Sequence, residues 1–182
     1  MALKATVFKA RIQLSDMDRH VYMEQPLTMA RHPSETDVRM MLRVLAWSMF
    51  AHERLEFSKG LCEEDEPELW QKSYSDEIEL WIEMGTPDET RLRKACGKAQ
   101  QVVLFAYGDN AVAVWWQKNQ GKFSKLRNLT VVQIDDAAAA QMADMAERTM
   151  DLAVTISDGQ VSVSNDNGYL MIDPIWLQRF DS

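Results

Sequence analysis

A mixed α/β fold is what the sequence predicts, with β-hairpins at both ends and helices interleaved with strands between them. Three observations carry that expectation. Apolar residues switch between a period of two and a period near 3.6 along the chain. Turn dipeptides and helix-start signals fall between those segments. At 182 residues and 46% hydrophobic, the chain can bury a real core. Seven Gly, five Pro and no repeated or low-complexity tract leave little for a linker, so a single domain over 1–182 is expected.

Residues 5 to 15 and 20 to 30 read as two strands joined by a polar turn at Asp16 to Arg19. His32-Pro33-Ser34 stops extended structure, and Ser34 with Asp37 has the spacing of a capping box. In the helix that follows, Val38, Met41, Leu42, Leu45 and Met49 make one apolar stripe and Met40, Val44, Trp47 and Ala51 a second, which predicts a buried helix. After Gly60 comes an acidic loop, Glu63 to Pro67, and then a hairpin from Glu68 to Ser73 and Glu77 to Gly85. Thr86-Pro87-Asp88-Glu89 opens a helix expected to reach about Cys96, with Gly97 ending it. Gln101 to Tyr107 reads as a strand, Ala111 to Gln120 as a helix, and Asn128 to Ile134 as a strand. A helix from Asp135 or Asp136 to about Arg148 follows, then strands from Asp151 to Asp173 around turns at Asp158-Gly159 and Asn167-Gly168.

Within the acidic hairpin, a turn centred on Ser75 and Asp76 pairs Lys72 with Glu79, Trp70 with Trp81 and Glu68 with Glu83. Two carboxylates facing across a pair of strands repel unless a cation or proton intervenes. A hard divalent cation such as Mg²⁺ suits them, and a solvated acidic face is the plainer alternative. Glu35, at the head of the buried helix, is a third candidate carboxylate, although acids are favoured in a first helical turn for electrostatic reasons alone.

The charge distribution is uneven. The chain carries −8 overall, which disfavours non-specific coating of nucleic acid. From Arg91 to Arg127, however, there are eight basic residues and one acid, so that segment is +7 and the remainder −15. A basic flank on an acidic body suits steering a polyanion to one place. Within it, Trp115-Trp116 together with Lys118, Lys122, Lys125 and Arg127 could stack bases and hold phosphates, or the tryptophans could anchor a helix in the core. Two cysteines, three scattered histidines and an N-terminus without a continuous apolar centre predict a reducing, cytoplasmic setting and no membrane span. No nucleotide-binding Gly-rich loop is present.

The stretches Met1 to Thr6, Arg31 to Thr36, Arg39 to Trp47, Gly60 to Cys62, Glu66 to Trp70, Glu79 to Pro87, Lys94 to Cys96 and Trp115 to Gln120 resemble the YaeQ family of bacterial proteins. That resemblance covers nearly the whole chain and implies a variant of the PD-(D/E)XK nuclease-like core: a mixed sheet flanked by helices, here with additional terminal hairpins. It implies a helix glutamate at Glu35, a strand acid after proline at Glu68, and an acid-x-lysine triplet headed by Glu83. Gly85 stands where that triplet has its lysine, so Lys94 is the implied replacement and Lys72 its competitor. Two functions follow as expectations. One is a Mg²⁺- or Mn²⁺-dependent phosphodiesterase, with Glu68 and Glu83 on the metal and Glu35 and Lys94 completing the catalytic set. The other is a non-catalytic module that binds nucleic acid or a transcription or repair protein.

Overall fold

The structure is a computed structural model and describes residues 4–59 and 65–180. In chain order its elements are β1 (Thr6–Asp16), β2 (Val21–Arg31), α1 (Asp37–Met49), β3 (Leu55–Phe57), β4 (Leu69–Lys72), β5 (Ile78–Met84), α2 (Glu89–Lys98), β6 (Ala99–Tyr107), α3 (Asp109–Phe123), β7 (Leu129–Ile134), α4 (Asp136–Asp144), β8 (Thr149–Ser157), β9 (Gln160–Asn165), β10 (Gly168–Ile172) and β11 (Ile175–Gln178). They fall into two compact units, each with its own mixed sheet: Met1–Ala51 with Ala137–Pro174, and His52–Asp136 with Ile175–Ser182. Among the described residues, no helix is long and apolar enough to cross a membrane.

The first unit carries a five-stranded sheet in the order β10-β9-β8-β1-β2. The β1–β2 turn is set by Asp16, a buried carboxylate that accepts from the amides of Asp18 and Arg19 at 3.1 and 3.0 Å and from Arg19 Nε at 2.7 Å. Short polar side chains that satisfy the backbone locally are what such turns select. Phe8, Ala10, Ile12 and Leu14 alternate inward along β1 while Lys9, Arg11 and Gln13 face solvent. The terminal hairpins, which the sequence leaves as separate features, are neighbours here, because β1 runs parallel to β8 from Lys9↔Thr149 to Asp16↔Ile156. In α1 the residues Met40 to Met49 are all buried, as the doubled apolar stripe predicts.

The second unit carries a six-stranded sheet in the order β11-β7-β6-β5-β4-β3. Strands β5, β6 and β7 are parallel and joined through α2 and α3, while β3, β4 and β11 run antiparallel to their neighbours. Trp81, Leu92, Ala95, Val102, Leu104, Val112, Trp115 and Phe123 share one core between this sheet and its helices. Strands β3 and β11 are short and escape the sequence patterns. The latter is fastened by Gln178, whose Nε2 donates to the carbonyls of Phe123, Leu126 and Leu129 at 2.9, 3.4 and 3.1 Å.

Several expected boundaries shift. The N-cap of α1 is Thr36, whose side chain accepts from Arg39 N, rather than Ser34, whose hydroxyl instead meets His32 Nδ1 at 2.7 Å. Glu35 therefore precedes the helix instead of standing in its first turn. Helix α2 runs through Gly97 to Lys98, and α4 ends at Asp144, short of Arg148. The last tail turn sits at Asp166 and Asn167, where the Asn165 side chain accepts from Asn167 N at 2.9 Å. Met1 to Leu3 and Gly60 to Glu64, including Cys62 and the head of the acidic loop, lie outside the described residues.

Candidate functional site

The acidic hairpin forms with the expected central register. Trp70 pairs with Trp81 and Leu69 with Ile82, and the amide of Glu68 donates to the carbonyl of Ile82 at 2.9 Å. Glu68 therefore stands opposite Glu83, and both side chains are buried, at 7% and 4% exposure. The register breaks nearer the turn. A bulge after Gln71 pairs Lys72 with Ile78, so the expected Lys72–Glu79 partnership is replaced. Arg54 takes Glu79 and also donates to the Lys72 carbonyl, and its hydrogen bond holds the Glu79 carboxyl below its usual range. The Lys72 ammonium sits over the Trp70 ring, 3.9 Å from its centre.

The cation held by Glu83 is a protein side chain. Arg91, in the first turn of α2, donates from Nη2 to Glu83 Oε1 at 2.9 Å and from Nε to Oε2 at 3.2 Å. Trp81 Nε1 donates to the same Oε1 at 2.8 Å. A third donor contact, from Arg91 Nη2 to the Glu66 carbonyl at 3.1 Å, reaches the segment that leads into Glu68. Local sequence fixes this arrangement. Asp88 caps α2 by accepting from the Arg91 amide at 2.8 Å, which sets Arg91 at a defined place on the helix. Burial pushes the Glu83 carboxyl above its ordinary range; the Arg91 and Trp81 hydrogen bonds oppose that shift, and the neighbouring Glu68 charge adds to it.

Beside Arg91 lies a cleft of about 420 Å³ lined by Trp81, Thr90, Arg91, Lys94 and Lys98, with Asp65 and Asp88 also on its wall. Arg91, Lys94 and Lys98 occupy positions i, i+3 and i+7 of α2 and so share one helical face. Lys98 lies over the Trp81 ring at 5.8 Å, and Trp81 meets Trp70 edge-on at 6.4 Å. Lys72, Trp70, Trp81 and Lys98 thus form a short ladder of cations and indoles on one face of the sheet.

Lys94 shares a cleft with the arginine that holds Glu83. Glu35 lies in the first unit, buried against Arg43 with N–O distances of 2.8 and 2.9 Å, and both side chains are at most 6% exposed. Lys118, Lys122, Lys125 and Arg127 are all exposed on or just after α3. Trp115 is a core anchor whose Nε1 donates to the Pro87 carbonyl at 2.6 Å, and Trp116 packs partly buried beside it. The lysine position of the superfamily triplet, Gly85, has a φ of +96°, where an L side chain is strained.

A divalent ion at Glu83 would have to displace Arg91. Both Glu83 oxygens are engaged by Arg91, and among the described residues no group of three or more His, Cys, Asp or Glu side chains is placed to hold a metal. Arg91, Trp81 and Lys98 are the residues that sequence reasoning missed as parts of this site. A usable signal existed for Arg91: it stands three residues after a capping Asp, on the crossover helix that follows the strand of Glu83.

A family model described as YaeQ protein matches residues 1–174. The chain is 49% identical over 179 residues to the "Uncharacterized protein YaeQ" of Escherichia coli (strain K12), covering 98% of this chain and 99% of that one. The protein of the same name from Salmonella typhi matches at 49% identity with the same coverage. Among solved structures, the YaeQ protein from Xanthomonas axonopodis pv. citri superposes with a TM-score of 0.94 at 43% identity, covering 96% of this chain and 98% of that one. The YaeQ protein from Pseudomonas syringae does so with a TM-score of 0.92 at 36% identity, covering 96% and 97%.

Proposed function

The chain belongs to the YaeQ family, and from that premise we propose that it is a nucleic-acid-binding module on a PD-(D/E)XK nuclease-like scaffold, binding the phosphate backbone without cutting it. The observation that carries this reading is the bidentate hold of Arg91 on Glu83. It neutralises the acid that a hydrolase of this superfamily would commit to a metal, and it leaves Lys94 and Lys98 facing the cleft for an anion. The exposed Lys118, Lys122, Lys125 and Arg127 add positive charge to the same unit. A chain of net charge −8 that concentrates its cations in this way binds a polyanion at one place.

The test is fluorescence anisotropy with short single- and double-stranded DNA and RNA across a salt series. With three to five phosphate contacts, log affinity should fall against log salt with a slope of roughly −2 to −4. Lys94→Glu with Lys98→Glu should abolish binding, and unchanged binding refutes the assignment of the cleft. A second reading, metal-dependent phosphodiester hydrolysis, is favoured by the opposition of Glu68 and Glu83 with Lys94 in the adjoining cleft. Mn²⁺-dependent cleavage of any of these oligonucleotides that disappears in Glu83→Gln establishes it instead.

A further inference from the structure

We infer that Arg91 is the resident cation of the Glu68–Glu83 pair, a guanidinium built into the place that a divalent ion would need, and that removing it turns the pair into a metal site. This rests on the nuclease-like reading of the hairpin. Two carboxylates facing across antiparallel strands, both nine-tenths buried, repel unless a cation or a proton relieves one of them. Arg91 relieves Glu83 with defined geometry. Its Nε and Nη2 each take one oxygen of Glu83, and Nη2 also takes the Glu66 carbonyl, two residues before Glu68. One guanidinium therefore ties the end of β5 to the entry of β4.

The arrangement is prepared by the fold. The amide of Arg91 is the group that the Asp88 cap holds, so the residue starts from a fixed backbone position. Trp81 covers the remaining approach to Glu83 Oε1 by donating its indole N–H. The planar fork of an arginine matches a carboxylate side-on in a way that a lysine ammonium cannot. A metal competing for Glu83 has to displace two charge-assisted hydrogen bonds before it gains a ligand. The consequence for the protein is a Glu83 charge that is countered at any metal concentration.

Isothermal titration with Mn²⁺ alone tests this on the full chain. Wild type should show at most weak binding, and Arg91→Met, which keeps the aliphatic stem, should bind one Mn²⁺ about tenfold or more tighter. Glu83→Gln combined with Arg91→Met should lose the gain. A folded Arg91→Met with wild-type Mn²⁺ affinity overturns the inference, and so does a gain that survives Glu83→Gln. If Arg91→Met does not fold, Arg91→Lys replaces it: one ammonium leaves a Glu83 oxygen open, so Mn²⁺ should bind more tightly than to wild type and raise the melting temperature. No change in either measurement overturns the inference. Oligonucleotide binding by wild type is scored separately. Its absence refutes the proposed function while leaving the Mn²⁺ result standing, and the reverse pattern removes only Arg91 as the resident cation.

Discussion

Loss of the Arg91 guanidinium should destabilise the protein far more than loss of the Glu83 charge. Arg91→Met removes two charge-assisted hydrogen bonds from Glu83, each worth about 1.5–3 kcal/mol, and one of about 1 kcal/mol to the Glu66 carbonyl. The Arg91 side chain is 37% exposed, so solvent screening reduces the sum. We expect a net cost of about 2–3 kcal/mol, just below the roughly 3–5 kcal/mol for breaking a fully buried pair. Glu83→Gln should fall within about 1 kcal/mol of wild type, because an exposed guanidinium can return to water whereas a buried carboxylate cannot. The glutamine oxygen can still accept from Trp81. The pH dependence has a definite sign. A carboxyl whose pKa is raised by folding binds more protons in the native state, so its contribution to stability falls as pH rises through the window between its unfolded and folded values. Without Arg91 that window moves upward, and the cost of Arg91→Met should shrink on acidification as Glu83 takes a proton. Urea unfolding followed by circular dichroism near pH 5 and pH 8 measures both effects. Equal costs for Glu83→Gln and Arg91→Met, or a cost of Arg91→Met that is the same at both pH values, would refute the reasoning.

Three further outcomes are expected. Arg43→Met should cost about 3–5 kcal/mol by urea unfolding, because Glu35 and Arg43 are both almost wholly buried and the carboxylate would be left behind; Glu35→Gln should cost less. Gly85→Lys, which rebuilds the acid-x-lysine spacing, should lose about 1–2 kcal/mol from the left-handed backbone at φ +96° and gain no cleavage in a Mn²⁺ nuclease assay. Reversing Lys118, Lys122 and Lys125 to Glu should weaken oligonucleotide binding and flatten the salt slope by about one for each lost phosphate contact, so an unchanged slope places the contact elsewhere.

How legible the fold was depended on how local its signals were. The N-terminal hairpin, the buried α1, and the strand and helix of each βα segment follow from periodicity and turn residues within a dozen positions of one another. The central Trp70–Trp81 register was readable because the turn length fixes it. The bulge after Gln71 was not, since a one-residue insertion leaves no mark in the alternation, and with it went the expected partner of Glu79. Strands β3 and β11 are three and four residues long, too short for any period to show. The facing carboxylates and the need for a cation between them were legible for the same reason as the register. That the cation is Arg91 was not, because the arginine comes from the next helix, eight residues beyond Glu83, and only the packing of α2 against the sheet brings the two together.

The strand order bears on synthesis. The first unit needs β8 beside β1, some 140 residues apart in the chain, and the second needs β11 beside β7 after an entire intervening stretch of the first unit. Neither sheet can acquire its full set of strands while the ribosome is still in the middle of the message. Such non-local closure slows folding and prolongs the exposure of unpaired strand edges. Chains truncated before Ile175 should therefore emerge with β7 as an open edge.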